Sequence, residues 1–163
     1  EFDKADTLLS SVPEELSDSV AVHILRGETL YHAQKFSEAK RYYQDFLKNY
    51  GWNESVALSL AKTHETLDEM ANARNLYREI MAQCQSCHAR IDPLVKQKYA
   101  DLCFSSGLFN TEVLELYLSL AQENPSSAAE NYKKISQIYA EQGNNEEAHR
   151  FELLSEKYYA GEK

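Results

Sequence analysis

Ala39-Lys40-Arg41-Tyr42-Tyr43 and Ala73-Arg74-Asn75-Leu76-Tyr77 begin 34 residues apart, and Ala5-Asp6-Thr7-Leu8-Leu9 begins 34 residues before the first of them. Val113-Leu114-Glu115-Leu116-Tyr117 and Ala148-His149-Arg150-Phe151-Glu152 repeat the pattern of a small or branched residue followed by apolar and aromatic ones. Short turn-like stretches precede these copies: Lys35-Phe36-Ser37-Glu38, Glu69-Met70-Ala71-Asn72, Gly107-Leu108-Phe109-Asn110 and Gly143-Asn144-Asn145-Glu146. A fixed period of this length marks an array of small structural units that bury their apolar faces by stacking.

The apolar residues recur with helical rather than alternating period, as in Thr63 to Leu67 and Leu76 to Met81. Asn53 can cap a helix starting at Glu54. Asp92-Pro93 pairs an N-cap with proline at the first helical position, and Ser127-Ala128-Ala129-Glu130 has the form of a capping box. Gly107 and Gly143 suit helix C-termini. The expected helices are 3–12, 18–33, 37–49, 54–67, 70–83, 93–106, 110–123, 128–142 and 145–159, nine in all, with no strand.

The 34-residue unit resembles the tetratricopeptide repeat. In that family a small residue starts the second helix, a small residue such as Gly27 lets the first helix pack closely, and a proline such as Pro125 closes the repeat. The family's tryptophan is replaced here by His23, Ala57 and Tyr132. The resemblance implies an all-α, right-handed superhelical solenoid of antiparallel helix pairs. It implies a partial repeat at 3–17 and repeats at about 20–53, 54–87, 94–127 and 129–162, all in one domain over 3–163. Glu1-Phe2 is the dipeptide encoded by a common restriction site and reads as a cloning scar. An array that opens on a second helix is expected to continue upstream, as part of a longer chain. No polar capping helix is expected after Tyr158-Tyr159, which would leave open ends able to self-associate.

The step from Ala73 to Val113 is 40 residues, so an insertion lies near 84–92, where Cys84-Gln85-Ser86-Cys87-His88 stands. Three readings are open. Cys-x-x-Cys-His matches a c-type haem attachment site, with Cys84 and Cys87 as thioether anchors and His88 as axial ligand. Two thiolates at this spacing also form half of a zinc site, completed by His88, His64, Cys103 or a second chain. Otherwise the segment is a loop with two free thiols, or one closed by a strained local disulfide, expected to bulge from Cys84 onward. The expected cofactor is none, with zinc the nearer alternative and haem the more remote one. Cys103 falls on a packing face and is expected in the core.

The composition narrows the function classes. Apolar residues make up 43% of the chain and charged residues 26%, as in folded water-exposed domains. The formal charge of −9 repels phosphate backbones and argues against nucleic acid. No apolar run is long enough to span a bilayer, so no membrane insertion is expected of this chain. The compartment is left open between the cytoplasm and the water-exposed part of a longer or anchored protein. No catalytic Ser-His-Asp order, phosphate-binding glycine loop or His-Glu-x-x-His motif is present, and Glu14-Glu15 and Glu146-Glu147 suit helix starts better than catalysis. The expectation is a non-enzyme that binds a protein or peptide, the alternative being a metal- or haem-carrying redox protein.

In the family the first helices line a concave groove. The resemblance assigns to it Ile24, Glu28, Tyr31 and His32; then Leu58, Lys62, Glu65 and Thr66; then Lys98, Leu102, Ser105 and Ser106; and last Lys133, Gln137 and Glu141. Relatives that grip the C-terminal carboxylate of heat-shock chaperones carry lysine and asparagine at the leading positions. Ile24 and Glu28 stand there instead, which implies no affinity for such peptides.

Overall fold

Five of the helices start where a side chain accepts from an orphan amide of the first turn. The computed structural model describes residues 19–87 and 89–160. Among these are eight helices: α1 Val20–His32, α2 Phe36–Tyr50, α3 Glu54–Thr66, α4 Met70–Ser86, α5 Pro93–Ser105, α6 Thr111–Glu123, α7 Ala128–Glu141 and α8 Asn145–Tyr159. The helix expected at 3–12, its partial repeat, the Glu1-Phe2 dipeptide and His88 lie outside the described residues. No strand occurs among the described residues.

Asn53 and Asp92 cap α3 and α5 as expected, accepting from the amides of Val56 at 3.1 Å and Leu94 at 2.8 Å. Asn110 and Asn144 cap α6 and α8 in the same way, and Ser19 caps α1. Ser127 departs from the expected capping box. Its hydroxyl donates to the Asn124 carbonyl, because its ψ of 0° turns the side chain away from the amides an extended N-cap would reach.

The four first helices, α1, α3, α5 and α7, end in one motif. The amides of Lys35, Glu69, Leu108 and Asn144 donate to the carbonyls of Leu30, His64, Cys103 and Tyr139, each at 2.9 Å. The residue before each donor is left-handed: Gln34, Asp68, Gly107 and Gly143. This six-to-one closure satisfies orphan carbonyls and sets the register of every repeat. Gln34 and Asp68 hold that conformation without being glycine, at φ of 61° and 59°. Gln34→Gly is therefore expected to raise the unfolding free energy by about 0.5–1 kcal/mol, read as a higher urea midpoint.

The described residues form two compact units, divided between Ile80 and Met81. In the first, α1, α2 and α3 pack around Ala39, Tyr43, Phe46, Val56 and Leu60. Gly27 is required there: a Cβ on it would lie 2.1 Å from Tyr43 Cε1. In the second, α5 to α8 pack in sequence around Val95, Val113, Tyr117, Ile135 and Ile138, all fully buried. Side chains so buried contribute roughly 1.5–3 kcal/mol each. The repeat tyrosines Tyr43, Tyr77 and Tyr117 are core residues, at 1%, 0% and 0% exposure.

One local expectation needs correction. The helix expected to stop at 83 runs to Ser86, so Cys84 is a buried residue of its last turn and the chain leaves the helix only at Cys87. Four residues after Ala148, where the earlier copies bury Tyr43, Tyr77 and Tyr117, α8 carries the exposed Glu152, with exposed Glu156 one turn on.

Candidate functional site

On a helix, side chains three and four residues apart share a face. Glu28, Tyr31 and His32 on α1 obey that spacing. In the first unit they line one cleft together with Lys62 and Ser59 of α3 and the edge of the Tyr43 ring. The cleft has a volume of about 190 Å³. Glu28 and Lys62 are exposed and opposite in charge. The Tyr31 hydroxyl and Thr66 Oγ1 are 2.8 Å apart, a hydrogen bond joining α1 to α3. Burial pushes the Tyr43 phenol up to about 12, so it meets the cleft as a neutral ring at physiological pH.

The other residues assigned to the groove in this unit have different roles. Ile24 packs against the core cluster, and Leu58 is half-buried. Glu65 accepts a hydrogen bond from Tyr77 at 2.5 Å. Ser59 was not anticipated. It lies three residues before Lys62 and so shares its face of α3.

Lys40 and His64 both bind Glu69, at 2.6 and 2.5 Å. The hydrogen bonds from Lys40 and then His64 hold the Glu69 carboxyl below its usual range. His64 is 4% exposed and serves this structural pair. Cys103 is 2% exposed in the core of the second unit, while Cys87 is exposed. Among the described residues, which omit His88, no three His, Cys, Asp or Glu side chains are grouped to hold a metal.

In the second unit the third-repeat assignment is displaced by one residue. Glu28 lies six residues before Gln34, Lys62 six before Asp68 and Gln137 six before Gly143; the residue six before Gly107 is Asp101, not Leu102. Leu102 is accordingly in the core, at 8% exposure, and Gln97 and Asp101 line a cavity where Lys98 and Leu102 were expected to. Ser105 and Ser106 turn their hydroxyls onto the Leu102 carbonyl. The cause is one extra residue between Gly107 and Val113, separate from the larger insertion before α5. Lys133 and Gln137 line a further cleft of about 320 Å³ with Glu152, Glu156 and Tyr159 of α8, and Glu141 is exposed at the end of α7.

Asp101 is the electrostatic centre of this unit. One of its oxygens accepts from Tyr117 Oη at 2.9 Å, Lys134 Nζ at 2.7 Å and Gln97 Nε2 at 3.0 Å. Burial works against the Lys134 charge, but Asp101 and then Glu130 more than offset it, and its pKa is raised.

No family model matches the sequence, and no curated protein matches it. Solved structures do. A MamA crystal structure matches with TM-score 0.71 at 15% identity, covering 98% of this chain and 87% of that one. The MamA AMB-1 structure matches with TM-score 0.77 at 18% identity, covering 98% and 84%. YrrB, described as a TPR protein with an unusual peptide-binding site, matches with TM-score 0.70 at 14% identity, covering 96% and 78%. With eight helices among its described residues, a common first-helix closure and this likeness over nearly its whole length, the chain has the all-helical fold of a tetratricopeptide-repeat solenoid.

Proposed function

We propose that this chain is a non-catalytic interaction scaffold that holds a peptide or protein partner in the cleft of its first unit. The observation that carries the reading is the convergence of Glu28, Tyr31 and His32 of one first helix and Lys62 of the next, with Glu28 and Lys62 at equivalent positions, on one cleft. A cleft with a carboxylate from α1 and an ammonium from α3 suits a ligand with both signs of charge. Tyr31 and His32 add polar and aromatic contact at low entropic cost. The likeness to YrrB, whose description includes a peptide-binding site, supports the same reading at the level of fold.

The experiment is selection of binders from a random peptide library with the wild-type chain, followed by calorimetry on charge-reversed variants. Glu28→Lys and Lys62→Glu are each expected to weaken the selected peptides about tenfold, with the melting temperature nearly unchanged because both side chains are exposed. Equal affinity for wild type and both variants would remove the cleft from the account.

A further inference from the structure

On α4, Met81 and Cys84 are both buried, at 6% exposure, and stand three residues apart. A further step of three reaches Cys87, which is exposed. Its amide donates to the Gln83 carbonyl at 3.2 Å, a helical bond, so the backbone keeps its helical course from Cys84 to Cys87. Residues three apart on a helix share a face. Two thiols therefore stand one turn apart on one face, the inner one buried and the outer one open to water.

Helix geometry puts Cα atoms three residues apart at about 5 Å, inside the range of roughly 4.4–6.8 Å that a disulfide spans. The Cβ atoms of such a pair are about 5–6 Å apart, against roughly 3.5–4.5 Å once bonded. A bridge thus needs a shift of roughly 1–2 Å. Cys84 is held by its burial, so Cys87 is the residue that moves. Little resists it: α4 ends at Ser86, the bond given up is the 3.2 Å one to Gln83, and residues 88–92 separate Cys87 from the restart of the chain as α5 at Pro93. A bridge formed at the cost of a shift is readily reduced again, and so short a loop adds little to stability. Labile bridges of this kind respond to redox conditions; they do not serve as structural cross-links.

We propose that Cys84 and Cys87 form a reversible thiol–disulfide exchange site, oxidised by low-molecular-weight disulfides of the glutathione type. Cys87 reacts first, as its thiolate. Its sulfur bonds to one sulfur of the reagent, the reagent's S–S bond breaks, and one thiolate leaves. Cys84 then loses its proton, its sulfur attacks Cys87 Sγ, and the second thiolate leaves. The two leaving thiolates take up the two protons that the cysteines release. The cysteine pair is oxidised by two electrons, and the reagent is reduced to two thiols. This site goes beyond the scaffold reading and shares no residue with the Glu28–Lys62 cleft.

The test treats the full chain, in the presence of a metal chelator, with oxidised glutathione, and follows intact mass and peptide maps over time. The expected product has lost two hydrogens and joins Cys84 to Cys87. Cys103, at 2% exposure, stays a thiol, and reduced glutathione restores the starting mass. The singly glutathionylated chain is not expected to build up, because the resolving thiol is already one turn away. Cys84→Ala is expected to stop at a stable glutathione adduct on Cys87. Cys87→Ser, at an exposed position, keeps the test open should Cys84→Ala lose stability; it is expected to slow all reaction about tenfold or more, since only buried thiols remain. Hydrogen exchange at the Cys87 amide is expected to be roughly tenfold faster in the oxidised chain, which gives up the bond to Gln83. A wild-type chain that accumulates the glutathione adduct without an internal bridge would overturn the proposal. So would a Cys87→Ser chain that reacts as fast as the wild type, or a bridge that links Cys103 or two chains instead.

Discussion

Asp101→Ala is expected to lower the unfolding free energy by about 2–3 kcal/mol, measured by urea denaturation with far-ultraviolet circular dichroism. The carboxylate itself is partly exposed, with 38% of its side chain open to water, so its Coulombic attraction to Lys134 is screened and counts for little. The larger cost falls on its partners. Tyr117 is 0% exposed and donates its hydroxyl to Asp101 alone among the described hydrogen bonds. Without the acceptor, that hydroxyl stays buried and unpaired, at roughly 1–3 kcal/mol. Lys134, with only 18% of its side chain exposed, keeps Glu130 but loses its shorter contact. Asp101→Asn retains an acceptor for Tyr117 and is expected to lose less than half as much. Equal losses for the two variants would mean that charge, and not the tyrosine hydrogen bond, is what Asp101 supplies.

Gly27→Ala is expected to cost about 1–3 kcal/mol, although alanine is the better helix former by about 1 kcal/mol. The added methyl would stand 2.1, 2.4 and 2.7 Å from Cε1, Cζ and Oη of Tyr43. The ring is 1% exposed and packed in the core cluster, so the strain falls on the α1–α2 contact. Because the Tyr43 edge also forms part of the Glu28–Lys62 cleft, the same change is expected to weaken peptide binding. Combining Gly27→Ala with Tyr43→Leu should be clearly less damaging than the sum of the two single changes, since the smaller side chain removes the clash. A Gly27→Ala protein as stable as the wild type would show that the two helices separate at no cost.

Much of this architecture could be read from residue spacing, because the features that build it are local. The 34-residue interval, the Asn53 and Asp92 caps, and the turn glycines Gly107 and Gly143 each act within a few residues of chain, and each appears where expected. The first-unit groove was legible for the same reason: the interval from Gln34 to Asp68 is regular, so Glu28 and Lys62 fall in register. Register failed in the third repeat because one extra residue in the α5–α6 turn cannot be distinguished from the longer insertion upstream. Lys98 and Leu102 were therefore chosen where Gln97 and Asp101 stand. The end of α4 was misplaced because Cys84-Gln85-Ser86 contains no helix breaker, and the first strong punctuation is Asp92-Pro93. Ser127 failed as a cap because its backbone angle is set by the turn after Asn124, which composition does not reveal.

The central claim is that a partner is held on the first-helix side of the first unit. Its most direct test is amide chemical-shift mapping of the full chain with a peptide selected on the wild type. The account predicts saturable shifts centred on Glu28, Tyr31, His32, Ser59 and Lys62, all lost in the Glu28→Lys, Lys62→Glu double variant. Shifts centred instead on the exposed faces of α2, at Arg41, Gln44 and Lys48, and undiminished in that variant, would contradict it.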